Sequence, residues 1–188
     1  MFSRNLAAWR LGASFFLLAA TVSGAELIKA ADVDGRERVL NEAGKVHVVI
    51  YSNEDVQDRT RAAGRALDEF QGLPEFRSVV VVDLRDSLAN LAKSYTQRRM
   101  VRDLDAEALR VTPFYRKNGN AGDPRREVSA VADFSGELSV RLGWREPAET
   151  LRVIVFDRHG REAARWEDLK DYRPLTLAVK KLLSTDGT

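Results

Sequence analysis

Between Lys45 and Leu84 the apolar residues fall into two short runs separated by a spaced set. Val46 to Tyr51 is rich in β-branched residues without strict alternation, the pattern of a strand buried on both faces of a mostly parallel sheet. Ser52-Asn53-Glu54-Asp55 then offers Ser52 or Asn53 as an N-cap with an acid three residues on. Val56, Ala63, Ala66, Leu67 and Phe70 follow at helical spacing. Gly72 and Pro74 stop that helix, and Ser78 to Leu84 carries four consecutive valines, a second buried strand. Two parallel strands joined by a helix make a right-handed βαβ unit. Beyond Asp86, Ser87 caps a second predicted helix whose apolar positions are Leu88, Leu91, Ala92 and Tyr95; it continues toward Leu109 and is closed by Pro113. The segment 117–127, rich in Gly, Asn and Pro, reads as a mobile surface loop.

The last third changes character. Val128 to Asp133, a turn at Phe134-Ser135-Gly136-Glu137, and Leu138 to Trp144 predict one hairpin. Leu151 to Phe156, the turn Asp157-Arg158-His159-Gly160, and Arg161 to Trp166 predict a second. Pro174 then opens an amphipathic helix with Leu175, Ala178, Val179, Leu182 and Leu183 inward. Ahead of the first strand, residues 26–44 are polar, with turn signals at Gly35 and Gly44, and form an N-terminal arm with one short strand at Arg38 to Leu40. Two hairpins at the end argue against a doubly wound flavodoxin-like sheet, which needs further strand-helix alternation.

Residues 1–25 differ from everything that follows. A basic segment ends at Arg10, an apolar run spans Leu11 to Val22, and Ser23-Gly24-Ala25 follows, which together predict a secretory signal peptide cut after Ala25. The run is shorter than the roughly 20 residues of a membrane-spanning helix, so no stable membrane span is expected after cleavage. A periplasmic address follows, with one domain over 45–188. Arg4 and Arg10 account for the formal net charge of +2. The chain beyond Ala25 is therefore neutral and offers little counterion release to nucleic acid, so no nucleic-acid partner is expected. Arg98, Arg99, Arg102, Arg125 and Arg126 read as solvated faces.

There is no cysteine. That removes disulfides, thiolate metal sites and every cysteine nucleophile, and leaves packing to hold the fold. The two histidines do not make a metal or catalytic centre; His47 reads as a hydrogen-bonded strand residue and His159 as an exposed turn residue. No Gly-x-Ser-x-Gly elbow or Gly-rich phosphate loop is present, and no cofactor is expected. The ends of the two parallel strands are acidic: Asn53, Glu54 and Asp55 after the first, Asp83 and Asp86 at the second. Ligands of open α/β sheets bind beyond the carboxyl ends of strands, so these residues are a candidate edge for a hard cation or a non-thiol enzyme site. The plainer account is helix capping and dipole compensation. Phe114, Tyr115 and Trp144 are a candidate surface for an envelope protein partner, set against their use as caps on the core.

The order strand, helix, strand, helix, hairpin and terminal helix resembles the thioredoxin-like superfamily. The segment VIVFDRHGREAARW at 153–166 is similar to its last hairpin, and VADFSGELSVRLGW at 131–144 resembles the stretch before it in peroxiredoxins. The resemblance implies a three-layer α/β/α fold with a mixed central sheet. It would place a redox Cys-x-x-Cys, or a peroxiredoxin Thr-x-x-Cys, at Ser52 to Asp58, where neither occurs. Pro147 is the nearest candidate for the cis proline facing that motif, but its spacing to Leu151 is too long for a cis bond to be assumed. The leader and the spacing from Trp144 to Gly160 also resemble the small periplasmic YtfJ-type family. A non-redox binding or interaction module of the cell envelope is the function this implies, beside a purely structural or stress-related role.

Overall fold

The structure is a computed structural model that describes residues 26–185; the predicted signal peptide lies outside them. The arm is a hairpin rather than one strand: β1 (Lys29–Ala31) pairs antiparallel with β2 (Glu37–Val39). Its turn is built around the buried Asp32 carboxylate, which accepts the Asp34 and Arg36 N–H groups and pairs with Arg38 at 2.8 Å. Ile28 and Ala30 lie against the core.

As expected, β3 (Val46–Ser52) is buried along its whole length. The capping expectation needs correcting. Ser52 stays in the strand, and the Asn53 side-chain oxygen Oδ1 accepts the Asp55 and Val56 N–H groups, an Asx turn that leads into α1 (Gln57–Arg65). A 3₁₀ turn at Asp68–Phe70 follows α1, and β4 (Phe76–Asp83) runs parallel to β3 with Ile50 opposite Val80.

A 3₁₀ turn at Leu88–Ala92 leads into α2 (Lys93–Lys117), and Pro113 sits inside this helix instead of closing it. Proline removes a single N–H here, on an exposed face, while Val111 and Tyr115 on the opposite face are buried and hold the last turn. The predicted apolar face is also displaced. Leu104, Ala108, Val111 and Tyr115 are the buried positions, whereas Leu88, Leu91 and Tyr95 are exposed. Segment 117–127 is pinned by side chains: Asn118 donates to the Glu69 and Gln71 carbonyls, Asn120 to that of Gly72, and Arg125 makes a double hydrogen bond with Asp34.

The first predicted hairpin is absent. Val128 to Asp133 supplies β5 (Ser129–Asp133), which adds to β4 in parallel, and the following residues form α3 (Glu137–Arg141). The Asp133 carboxylate captures the N–H groups of Gly136 and Ser139, and Gly136 turns the chain at φ 75°, so the peptide leaves the sheet and winds into a helix. Trp144 therefore follows a helix and ends no strand. The second hairpin forms as predicted from β6 (Arg152–Phe156) and β7 (Glu162–Trp166), and α4 (Arg173–Ser184) starts at the proline.

The main sheet has the order β5-β4-β3-β6-β7, with β3, β4 and β5 parallel and β6 and β7 antiparallel additions. Those two strands exclude the flavodoxin-like alternative. On one face, Val46, Val48 and Ile50 pack with Ala63 of α1, with Leu67 just beyond it, and with Leu175 and Val179 of α4. On the other, Val49, Tyr51, Val79 and Val81 pack with Leu138 of α3 and Leu142 at its C-terminal end, with Leu40, and with Ile28 and Ala30 of the arm. The result is the three-layer mixed-sheet architecture expected from the sequence.

Candidate functional site

Along β4 the four valines divide by parity. Val79 and Val81 are buried under α3, but Val80 and Val82, which point to the face carrying α1, are only half-buried. Both faces of this strand were expected to be closed, and one is not. The reason lies in the residues of α1 and α2 that look across at each other. Thr60 and Gly64 on α1 and Ala106 on α2 are too small to bridge the two helices. An added Cβ at Gly64 would meet nothing within 4 Å.

The opening is a cleft of about 640 Å³. Its floor is Val80, Val82, Leu84 and Ala130, and Met100 and Leu104 of α2 line one wall. Ser52, Asn53 and Glu54 sit at its end, so the cleft begins where the β3-α1 turn begins. The rim is charged. Arg110 spans it, bonded to both Asp68 oxygens at 2.7 Å and to Glu107 at 2.8 Å, and these hydrogen bonds raise its already high pKa. Arg65 and Arg99 also line the rim, and neither meets a carboxylate among the described residues. An apolar trough whose edge carries Arg65 and Arg99 beside Glu54 and Asp103 suits a ligand with an apolar body and a charged or polar group.

The predicted acidic edge does not come together. Glu54 turns to the next loop and accepts the Ser87 hydroxyl at 2.6 Å. Asp55 is exposed and accepts a hydrogen bond from the Asn53 side chain, and Asp86 is exposed. Asp83 lies away from them, on the side of Tyr51 and Asp133, where Arg85 pairs with it at 2.8 Å and the Ala148 N–H donates to it at 2.9 Å. Burial works to raise the Asp83 pKa, but these hydrogen bonds outweigh it and hold the carboxyl below its ordinary value. Among the described residues no group of three or more His, Asp or Glu is placed to hold a metal ion.

The aromatic candidates are likewise separated. Tyr115 is buried, with its hydroxyl donating to Glu127 at 3.0 Å, and Phe114 is half-buried. Trp144 is buried against Tyr51 with ring centroids 5.2 Å apart, and the guanidiniums of Arg165 and Arg152 cover it. Tyr115 and Trp144 therefore cap the core. His159 is exposed in its turn as expected. His47 is buried as expected, but neither ring nitrogen has a hydrogen-bond partner, and burial pushes its pKa down to about 4. Among the described residues all peptide bonds are trans, that before Pro147 included.

Residues of the cleft floor escaped the sequence reading because four adjacent valines look alike in a string. The signal that could have found them is the pair of small residues at Thr60 and Gly64, one helical turn apart on the face toward Val80.

No family model matches this chain, and no curated protein is significantly similar to it. Solved structures are similar in fold. The exposed lipoprotein thioredoxin of Streptococcus pneumoniae is 15% identical, with a TM-score of 0.53 over 84% of this chain and 100% of its own. A putative thioredoxin from Neisseria meningitidis is 13% identical, with a TM-score of 0.54 over 87% and 92%. A thiol-disulfide oxidoreductase from Bacteroides fragilis is 12% identical, with a TM-score of 0.54 over 85% and 98%. At such identities the likeness establishes the thioredoxin-like fold, and function must be argued from the site. Nothing in this chain can perform the thiol chemistry those names describe, because it contains no cysteine.

Proposed function

We propose that this chain is a non-redox binding module of the cell envelope and that its ligand occupies the cleft between α1 and α2. The single observation that carries the reading is the half-covered pair Val80 and Val82, an apolar strand face left open where a packed helix would otherwise close it. Leaving such side chains accessible forgoes about 25 cal/mol for every Å² of apolar surface that a closed interface would bury, a cost that a ligand recovers when it binds. The envelope address is supported by the leader-like residues 1–25 and by a fold neighbour described as an exposed lipoprotein. The spacing from Trp144 to Gly160 resembles the periplasmic YtfJ-type family, and a place beside that family is part of this proposal.

Gly64→Leu tests it. Residue 64 is helical, no φ constraint applies, and the space in front of it is the cleft itself, so leucine plugs the trough while improving helix propensity by about 0.8 kcal/mol. The anionic aromatic probe 8-anilino-1-naphthalenesulfonate is expected to bind the unaltered chain at one saturable site with enhanced emission. Gly64→Leu is expected to lose that site with unchanged circular dichroism and an equal or higher Tm. Retention of the same saturable site in Gly64→Leu refutes the assignment.

A further inference from the structure

A second surface, separate from the cleft floor, has no role in this reading. Leu88, Leu91 and Tyr95 are 84%, 87% and 59% exposed, three large apolar side chains at the junction of the Leu88–Ala92 turn and α2. Leu88 and Leu91 are three apart in a 3₁₀ turn and share a face; beyond the non-helical Ala92, Tyr95 is exposed in the first turn of α2. Every residue from Leu91 to Tyr95 is exposed, and the start of α2 is tied to the body through Lys93, whose ammonium lies 5.1 Å from the Phe134 ring centroid.

The face of α2 beyond Tyr95 then becomes cationic. Arg98 and Arg99 follow Tyr95 by three and four residues and Arg102 follows by seven, all exposed and on the face opposite buried Leu104. From Lys93 to Arg102 there are four basic residues and no acid. Arg98, Arg99 and Arg102 have no carboxylate partner among the described residues, whereas Arg85, Arg110 and Arg125 each pair with carboxylates. An exposed apolar tip backed by unpaired arginines is complementary to one kind of surface in particular: hydrocarbon beneath anionic phosphate. A protein partner of standard affinity engages roughly 20 residues a side in matched relief, which a tip of three side chains does not provide. A fluid lipid interface accepts it without such relief.

We infer that the tip at Leu88, Leu91 and Tyr95 docks the protein peripherally on an anionic phospholipid bilayer, with Arg98 and Arg102 contacting lipid phosphates. The full chain contains no cysteine, so a single cysteine introduced as Ala92→Cys carries an environment-sensitive fluorophore at the tip alone and leaves all three apolar residues in place. Residues 11–22 can themselves associate with lipid, so the readout has to be local. Leu177→Cys, at an exposed position on α4, supplies the control label.

With vesicles of equal parts phosphatidylglycerol and phosphatidylcholine, the label at 92 is expected to shift to the blue and that at 177 to stay unchanged. Vesicles of phosphatidylcholine alone are expected to leave both unchanged. Arg98→Gln with Arg102→Gln is expected to raise the lipid concentration for half-maximal shift by about thirtyfold, about fivefold for each charge. Leu88→Ser with Leu91→Ser is expected to abolish the shift. An unshifted label at 92 on anionic vesicles overturns the proposal and directs the surface to an acidic protein partner. Equal shifts on neutral vesicles, or at 92 and 177 alike, overturn it as well.

Discussion

His47 gives the sharpest link between one buried side chain and a solution measurement. It sits on β3 between Arg77 of β4 and Phe156 of β6, is 3% exposed, and has neither nitrogen bonded. Burial lowers its pKa from 6.5 to about 4; Glu42 opposes that shift, and Lys45 and Arg77 add to it. The depressed value means that the native state holds the neutral imidazole. Above pH 6.5 folded and unfolded chains are both neutral there, and the full stability is present. Between pH 6.5 and 4 the unfolded chain takes up a proton that the native chain refuses, so stability falls as pH falls. The loss is about 2 kcal/mol at pH 5 and about 3 kcal/mol at pH 4, since a gap of one pH unit is worth about 1.4 kcal/mol. The assay is urea unfolding of the unaltered chain and of His47→Val at pH 7, 5 and 4. Carboxylates with lowered pKa, such as Asp34 and Asp157, also lose stability in acid, but they do so in both proteins and cancel in the difference. A difference that stays below about 0.5 kcal/mol from pH 7 to pH 5, or an NMR titration placing His47 near 6.5, refutes the reasoning.

The buried Asp83 and Arg85 pair gives a second test: Arg85→Met strands a carboxylate whose side chain is 3% exposed and is expected to cost about 3 kcal/mol in denaturant, whereas Arg61→Ala, whose partner Asp58 is in solvent, leaves stability unchanged. Asp83→Asn is expected to restore much of the Arg85→Met loss. Gly72 and Gly35 both have positive φ, 86° and 78°, but a Cβ at 72 would lie 2.7 Å from the Tyr115 Cα while one at 35 is in open space. Gly35→Ala is expected to cost about 1 kcal/mol of backbone strain and Gly72→Ala at least twice that, read as a lower Tm.

The sequence was most legible where burial is symmetric or strictly periodic. In β3 every residue is enclosed, and α4 buries Leu175 and Val179 at helical spacing, so both elements appear where the pattern puts them. The misread hairpin shows the limit. Leu138, Val140 and Leu142 alternate like a strand, yet Leu138 and Leu142 are also one helical turn apart, and the exposure of Val140 shows that the helical period governs. What decides between the two periods is the Asp133 carboxylate taking two N–H groups beyond β5, a three-dimensional event with no distinct signature in the string. Of the candidate site, Asn53 and Glu54 do reach the cleft, because the end of β3 can be found from sequence. Asp83 does not, because its partner Arg85 lies only two residues away and local spacing does not reveal that both turn inward.

The position of β3 at the centre of the sheet has a consequence for how the molecule is made. Its parallel neighbour β4 follows within one helix, but its other neighbour is β6, with Ile50 opposite Val153, about 100 residues later. In any chain that emerges N-terminus first, the edge of Val46–Ser52 is therefore present well before the strand that covers it. During that interval the nascent chain presents a flat, valine-rich, unpaired strand, the kind of surface that adheres to other chains. Assembly of this fold is thus gated by its C-terminal third, and a chain that stops after β5 is a template for aggregation even though three of its parallel strands are in hand.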